Sequence, residues 1–432
     1  MATADRDARP GFWSTTRIAA LVVVIGFACN FVARGVVDTY MVFMLPLEHE
    51  FGWRHADLTR VYSAYLITLG IMSPLTGALL DGWGPRVSYL AGVGLMAGAM
   101  LVASHASAMW QLYLAIGVMC GMASSLMGMV PAAALIGRWF DRQMSVGIGL
   151  AYAGFGSGML LVVPLAQAGI EAFGWRETYR IMFLALLAIV PLLLLLPWGR
   201  IAIGAPGNPR ARVVKEKQRD AALADDVSTQ WTIRTAIGTI EFWLLVQAFF
   251  FTAVAAYLTS VQVIAFLIDR GYPPLEAALA FGVAGMLSIC GVMMSGWAMV
   301  RFGVRRATVI SFVGTFFGIL GLACFAIWPH GGWVLLFVAA FGTSQGARGP
   351  VISALNARIF ARGRVSSIYG LIFMIMSFGS AFGAWLSGLL HDLTGDYTAA
   401  FVVACLSVFL AAAPFVVTRR LVEARELPPP SR

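Results

Sequence analysis

Charge is what this sequence has least of. Only 12% of its 432 residues are Asp, Glu, Lys or Arg, against 59% hydrophobic, where a soluble globular chain carries roughly 25% charged residues. That shortage argues against a water-soluble protein and points into a membrane. Cysteine is nearly as scarce. The five (Cys29, Cys120, Cys290, Cys324 and Cys405) fall in apolar runs at unpaired spacings, so neither a disulfide nor a metal framework is expected. The five histidines (His49, His55, His105, His330 and His391) are scattered near one face and read as solvated surface groups. No phosphate-binding glycine loop or nucleophile elbow is present, which argues against an enzyme and an ATP-driven pump. The polar segments are too short for a sensor's output domain. No cofactor and no metal are expected.

What is present is a series of apolar runs long enough to cross a bilayer. There are twelve: 18–46, 58–80, 88–104, 109–137, 145–170, 178–198, 238–268, 275–300, 306–328, 332–357, 365–390 and 397–418. Of the 30 lysines and arginines, 23 fall in the tails and loops of one face, five on the other face, and two, Arg34 and Arg348, inside runs. The rule that basic loops stay inside puts both termini in the cytoplasm. The net charge of +9 is then a topology signal that needs no nucleic-acid partner. Arginine outnumbers lysine 28 to 2, the composition of a GC-rich genome, and a bacterial inner (plasma) membrane is the expected location.

One long polar segment, 199–237, interrupts the runs and reads as a cytoplasmic linker. It separates a six-helix unit at 1–198 from a second at 238–432. The two repeat each other. "GALLDGWGPR" (Gly77 to Arg86) matches "GWAMVRFGVR" (Gly296 to Arg305) at an offset of 219, as do Gly52 with Gly271 and Asp57 with Glu276; "RWFDR" at 138 matches "RIFAR" at 358. The reading is an all-α integral membrane protein with two pseudo-symmetric six-helix bundles. Parallel duplication of this kind is an architecture of secondary transporters, with the site between the halves near mid-membrane.

The first copy of that loop, with Gly77, Asp81, Gly84 and Arg86, resembles the signature of the major facilitator superfamily. The second keeps Gly296, Gly303 and Arg305 but has Val300 in place of Asp81. "EFGWRHADLTRVYSAY", "RWFDRQMSVGIGLAYAGFGSG" and "FGWRETYR" are similar to the monocarboxylate and oxalate:formate branch. The resemblance implies alternating access, with the seven loop residues forming a gate whose charge contacts make and break as the bundles rock. Read without it, the same loop is a solvated turn with an arginine that fixes topology.

The two buried arginines carry the chemical argument. Arg34 lies about 24 Å along the first helix, and Asn30, Arg34 and Asp38 at i, i+4 and i+8 share one face. Arg348, with Gln345 one turn before it, sits in "FGTSQGARGPVISALN", whose glycines and proline suggest a kink with carbonyls freed into a cavity. Two arginines and one aspartate leave one net positive charge, which a bound organic anion would balance; a carboxylate fits the guanidinium fork. The alternative is that Arg348 pairs with Asp38 across the cavity while Arg34 bonds backbone carbonyls. Asp38, the only carboxylate deep in a run, is the proton-coupling candidate or else a static counter-ion. Further path-lining candidates are Tyr65, Ser124, Ser125, Tyr152, Gln247 and Tyr257, each of which also suits a plain helix–helix contact.

The chain departs from the branch it resembles. Monocarboxylate transporters carry a functional arginine in helix 8, and oxalate:formate antiporters use basic residues in helices 8 and 11. Here helix 8 has no basic residue before Arg301, helix 11 has none, and the Asp-Gly-Gly-Trp opening of helix 1 is missing. The expected function is secondary transport of a small or aromatic organic anion, a carboxylate with a coupled proton, by a monomer. The alternative solute is a vitamin-like or drug-like aromatic compound, in uptake or efflux.

Overall fold

The computed structural model describes residues 15–140, 144–204, 233–360, 365–418 and 421. Most of the expected linker therefore lies outside the described residues, which are helical with short connections.

Twelve rods follow the twelve apolar runs. The first, α1, runs Thr15–Asp38 and, after a break at Thr39, Tyr40–Phe51. The helices α2 and α3 are two arms of His55–Ser104, bent where Gly84 has φ 81° and ψ 171°. Next come α4 over Met109–Trp139, α5 over Met144–Phe173 and α6 over Trp175–Leu194. The second bundle has α7 over Ile240–Asp269, then α8 and α9 as arms of Pro274–Ile327 bent at Gly303 (φ 80°, ψ 159°). It ends with α10 over Gly331–Leu336, Phe337–Phe341 and Gly342–Ile359, α11 over Val365–Thr394 and α12 over Thr398–Val416. The third run, expected at 88–104, extends back to Trp83.

Among the described residues, ten helices are long and apolar enough to cross a membrane by length and composition alone. The two that miss this measure are α2 and α10, which hold Thr59, Ser63, Ser73 and Thr76, and Thr343, Ser344, Gln345 and Arg348. Polar side chains in a spanning helix are tolerated where they face protein or a cavity, not lipid.

The repeat extends to backbone conformation. Gly52 and Gly271, Gly84 and Gly303, and Gly174 and Gly395 all have positive φ at matching places in the two bundles. At Gly84, Gly174 and Gly303 a φ near +80° comes with ψ of 171°, 164° and 159°, a region open essentially to glycine alone, so these three residues fix their turns. Close packing repeats too. A Cβ at Gly154 or Gly158 of α5 would strike the α1 backbone at Phe27 or Phe31; at Gly379 or Gly383 of α11 it would strike α7 at Phe250 or Val254. Such small-residue seams let membrane helices approach closely. Both α4 and α10 carry a π-helical stretch, Tyr113–Met119 and Phe337–Phe341. Hence the irregularity of α10 precedes Gly342 and does not sit at Pro350. Gly342 and Gly346 are packed on Ala284 and Ser288 of α8, whereas Gly349 has no atom within 4 Å of where a Cβ would stand.

Candidate functional site between the bundles

The bundles touch along α2 with α11 and α5 with α8, but not evenly along their length. Beyond the breaks at Thr39 and Val261–Gln262, the far segments of α1 and α7 pack on each other. Every residue from Gly35 to Met44 is buried. Nearer the described chain ends, Ala20, Val24 and Ala28 of α1 are exposed and the near halves of α1 and α7 make almost no contact with each other. The molecule is sealed at the far face and open at the face carrying the chain ends. Arg34 lies at the inner limit of that opening.

Here the structure assembles a charged cluster. Arg34 Nε lies 2.6 Å from Asp38 Oδ2; their side chains are 19% and 0% exposed. Tyr62 donates to Asp38 Oδ1 at 2.8 Å. Arg34 Nη1 donates to Tyr257 Oη at 3.1 Å, and this bond crosses from one bundle to the other. The Tyr65 and Tyr257 rings lie 5.3 and 6.2 Å from that of Tyr62. A buried pair of this kind is costly to desolvate and becomes stable only when further hydrogen bonds satisfy it; Tyr62 and Tyr257 supply them. Ser124 Oγ donates to Ala33 O at 3.4 Å, and Ser125 meets Thr76 at 2.7 Å, tying α4 to α1 and α2.

Of the residues expected at the site, Arg34, Asp38, Tyr65 and Tyr257 come together. Asn30 does not join them: it is fully buried and folds its amide back onto Gly26 O at 2.8 Å. Gln247 turns away, donating to Leu410 O of α12 at 3.1 Å. Tyr152 is 38% exposed nearer the open mouth, its ring edge-on to Phe155. Gln345 is half-buried on α10.

Arg348 also departs from expectation. It is 2% exposed and turned toward α9, donating to Thr315 Oγ1 at 2.9 Å, with its guanidinium 5.1 Å from the centre of the Phe312 ring. Among the described residues its Nε and Nη1 have no hydrogen-bond partner. It does not pair with Asp38, and Arg34 bonds a side chain, not backbone carbonyls. Tyr62 was absent from the expected set, although its position three residues before Tyr65 puts both on one helix face.

At the loop motif, Gly84 and Gly303 form the bends and Arg86 is exposed. Arg305 donates through Nε to Phe415 O and through Nη2 to Val416 O, both at 3.0 Å, closing the end of α12. The Asp81 side chain lies outside what the structure describes, and Gly77 and Gly296 are part of the α2 and α8 rods.

Two duplicated bundles around a cluster sealed from one face define a membrane transporter, not an enzyme. The family model of the Major Facilitator Superfamily matches residues 23–348, and the chain belongs to that superfamily. It is similar along most of its length to named transporters. Monocarboxylate transporter 13 of Rattus norvegicus is 29% identical over 386 residues, covering 89% of this chain and 85% of its own. Monocarboxylate transporter 11 of Homo sapiens is 28% identical over 392 residues, covering 89% and 79%. Monocarboxylate transporter 3 of Rattus norvegicus is 27% identical over 429 residues, covering 97% and 83%.

Proposed function

We propose that this protein carries a small organic anion, a carboxylate, with a coupled proton. Its orientation is that of a plasma-membrane protein with cytoplasmic termini, as the basic residues of the chain-end face favour. The observation that carries the reading is the Arg34–Asp38 pair at the inner limit of the opening, bridged to the second bundle through Tyr257. A substrate carboxylate can take the place of Asp38 on the Arg34 fork. Asp38, displaced and desolvated, then takes up a proton, because a buried carboxylate without its counter-ion favours the neutral form. The Arg34–Asp38 pair is neutral before binding and stays neutral with the anion on Arg34 and the proton on Asp38, which couples the two, while Arg348 lies apart against α9. Breaking the Arg34–Tyr257 bond as the solute enters gives the bundles a reason to move.

The similarity to monocarboxylate transporters supports the same solute class. A second reading, an aromatic solute, draws on the three tyrosine rings grouped beside Arg34. Thermal stabilisation of the purified protein by lactate, pyruvate, oxalate, benzoate and riboflavin tests both. The expected result is stabilisation by carboxylates that is lost in Arg34→Gln. If riboflavin alone stabilises, and Arg34→Gln keeps the response, the anion reading is wrong.

A further inference from the structure

At the sealed face, groups the sequence suggested were solvated form a second junction between the bundles. His55, the first residue of α2, is 2% exposed. Its Nδ1 lies 2.9 Å from Glu48 Oε2 at the end of α1, and its Nε2 lies 2.7 Å from Gln262 Oε1 at the break in α7. The orientation of the Gln262 amide follows from its neighbours. Ser387 Oγ already donates to Ala384 O at 2.6 Å, so it accepts from Gln262 Nε2 at 3.1 Å. That turns the amide oxygen, which cannot donate, toward His55. Both ring nitrogens of His55 thus face acceptors. A neutral imidazole has one donor and one acceptor nitrogen; only the imidazolium donates from both.

We infer that His55 is a proton-binding site that locks the far gate, its imidazolium joining Glu48 of the first bundle to Gln262 of the second while that gate is closed. The surroundings favour the charge. Asp392 of α11 accepts from the backbone N–H of Ala56 at 3.2 Å, adding a second carboxylate beside the ring. Opposing it are His391 of α11, with its ring 4.8 Å away, and Arg54, which is paired with Asp57; His49 on α1 stands beside Glu48 in the chain. Further out, Tyr397 at the start of α12 contacts the His391 ring and donates to Asp269 of α7. Burial alone would lower the His55 pKa; the hydrogen bond and charge of Glu48, with Gln262 and Asp392, outweigh it and raise the value.

Opening the gate exposes His55 and returns it to an ordinary histidine, with a pKa of about 6.5. The closed state therefore holds the proton more tightly. Closure is favoured fully below that pH, and the advantage is lost as pH rises through the closed-state value. This proton is distinct from one on Asp38 and owes nothing to the identity of the solute.

The test uses Thr59→Cys, a fully buried site on α2 under the Gly388 contact with α11. The accessible thiols Cys290, Cys324 and Cys405 are replaced by serine. Maleimide labelling without solute is compared at each pH with the same chain carrying His55→Gln, so that thiolate chemistry cancels in the ratio. Labelling of the His55→Gln chain should be faster at pH 5.5, by a factor set by how far closure raises the pKa of the histidine. The two rates should converge by pH 8.5. Glu48→Gln, which keeps the histidine, should narrow the low-pH difference. A ratio of one, or a raised ratio that does not vary with pH, as a merely loosened gate would give, overturns the inference.

Discussion

In the first bundle the mid-membrane charge is paired: Arg34 meets Asp38 at 2.6 Å, and two tyrosines complete the set. In the second, Arg348 lies between α10 and α9 with a threonine, an aromatic face and, among the described residues, no acid paired with it. The bundles otherwise share bends, glycine seams and π-helical stretches at matching places. Duplication therefore supplied one scaffold twice, and the chemistry diverged on it. The paired charge sits at the inner limit of the opening, whereas Arg348 is held back from it. A second divergence lies in α4, where Gly128 interrupts the helix (φ −84°, ψ −142°) while α10 runs unbroken from Gly342 to Ile359.

Removing Asp38 is the largest perturbation of this contrast. Asp38→Asn makes the first bundle resemble the second by leaving its arginine without an acid. Breaking one side of a buried pair costs about 3–5 kcal/mol, and thermal unfolding in detergent should show a loss of that order. The double variant Arg34→Gln/Asp38→Asn should recover part of it, because no uncompensated charge remains. If single and double variants are equally destabilised, the pair is not what holds α1.

The reverse experiment applies to the second bundle. Arg348→Met removes a buried charge that has no acid to lose. Thr315 keeps a partner, since its hydroxyl also donates to Ser311 O at 3.1 Å. Replacing buried charge by apolar bulk is often neutral or stabilising, by about 1–4 kcal/mol. Arg348→Met should thus unfold no earlier than the parent while carboxylate uptake into proteoliposomes falls. Stability and uptake falling together would assign Arg348 to structure alone.

The sequence exposed the spans, the duplicated halves and the Arg34–Asp38 pair for a shared reason: each follows from helical periodicity and from the cost of charge in lipid. It did not reveal that Arg348 turns toward α9, because a helix position gives a face and not the neighbour that face meets. Asn30 shares the face of Arg34, yet its amide is spent on its own backbone. His55 looked like a surface group because it stands beside a loop. Its burial depends on α7 and α11, which lie more than 200 residues away in the chain.

The bends offer the mildest test, since here the bundles should behave alike. Gly84 and Gly303 hold nearly the same conformation, φ 81° and ψ 171° against φ 80° and ψ 159°. Neither has any atom within 4 Å of where a Cβ would stand. Alanine at either site therefore meets no steric clash with a neighbour, and its cost is backbone strain alone, about 1–3 kcal/mol. Gly84→Ala and Gly303→Ala should lower stability by equal amounts within that range, read from thermal unfolding of each purified variant. Equal losses would mean that both turns are fixed by conformation. A much larger loss at Gly84 would show that the first turn carries an added constraint, and the loop beside Asp81 would then be more than a second copy of the same bend.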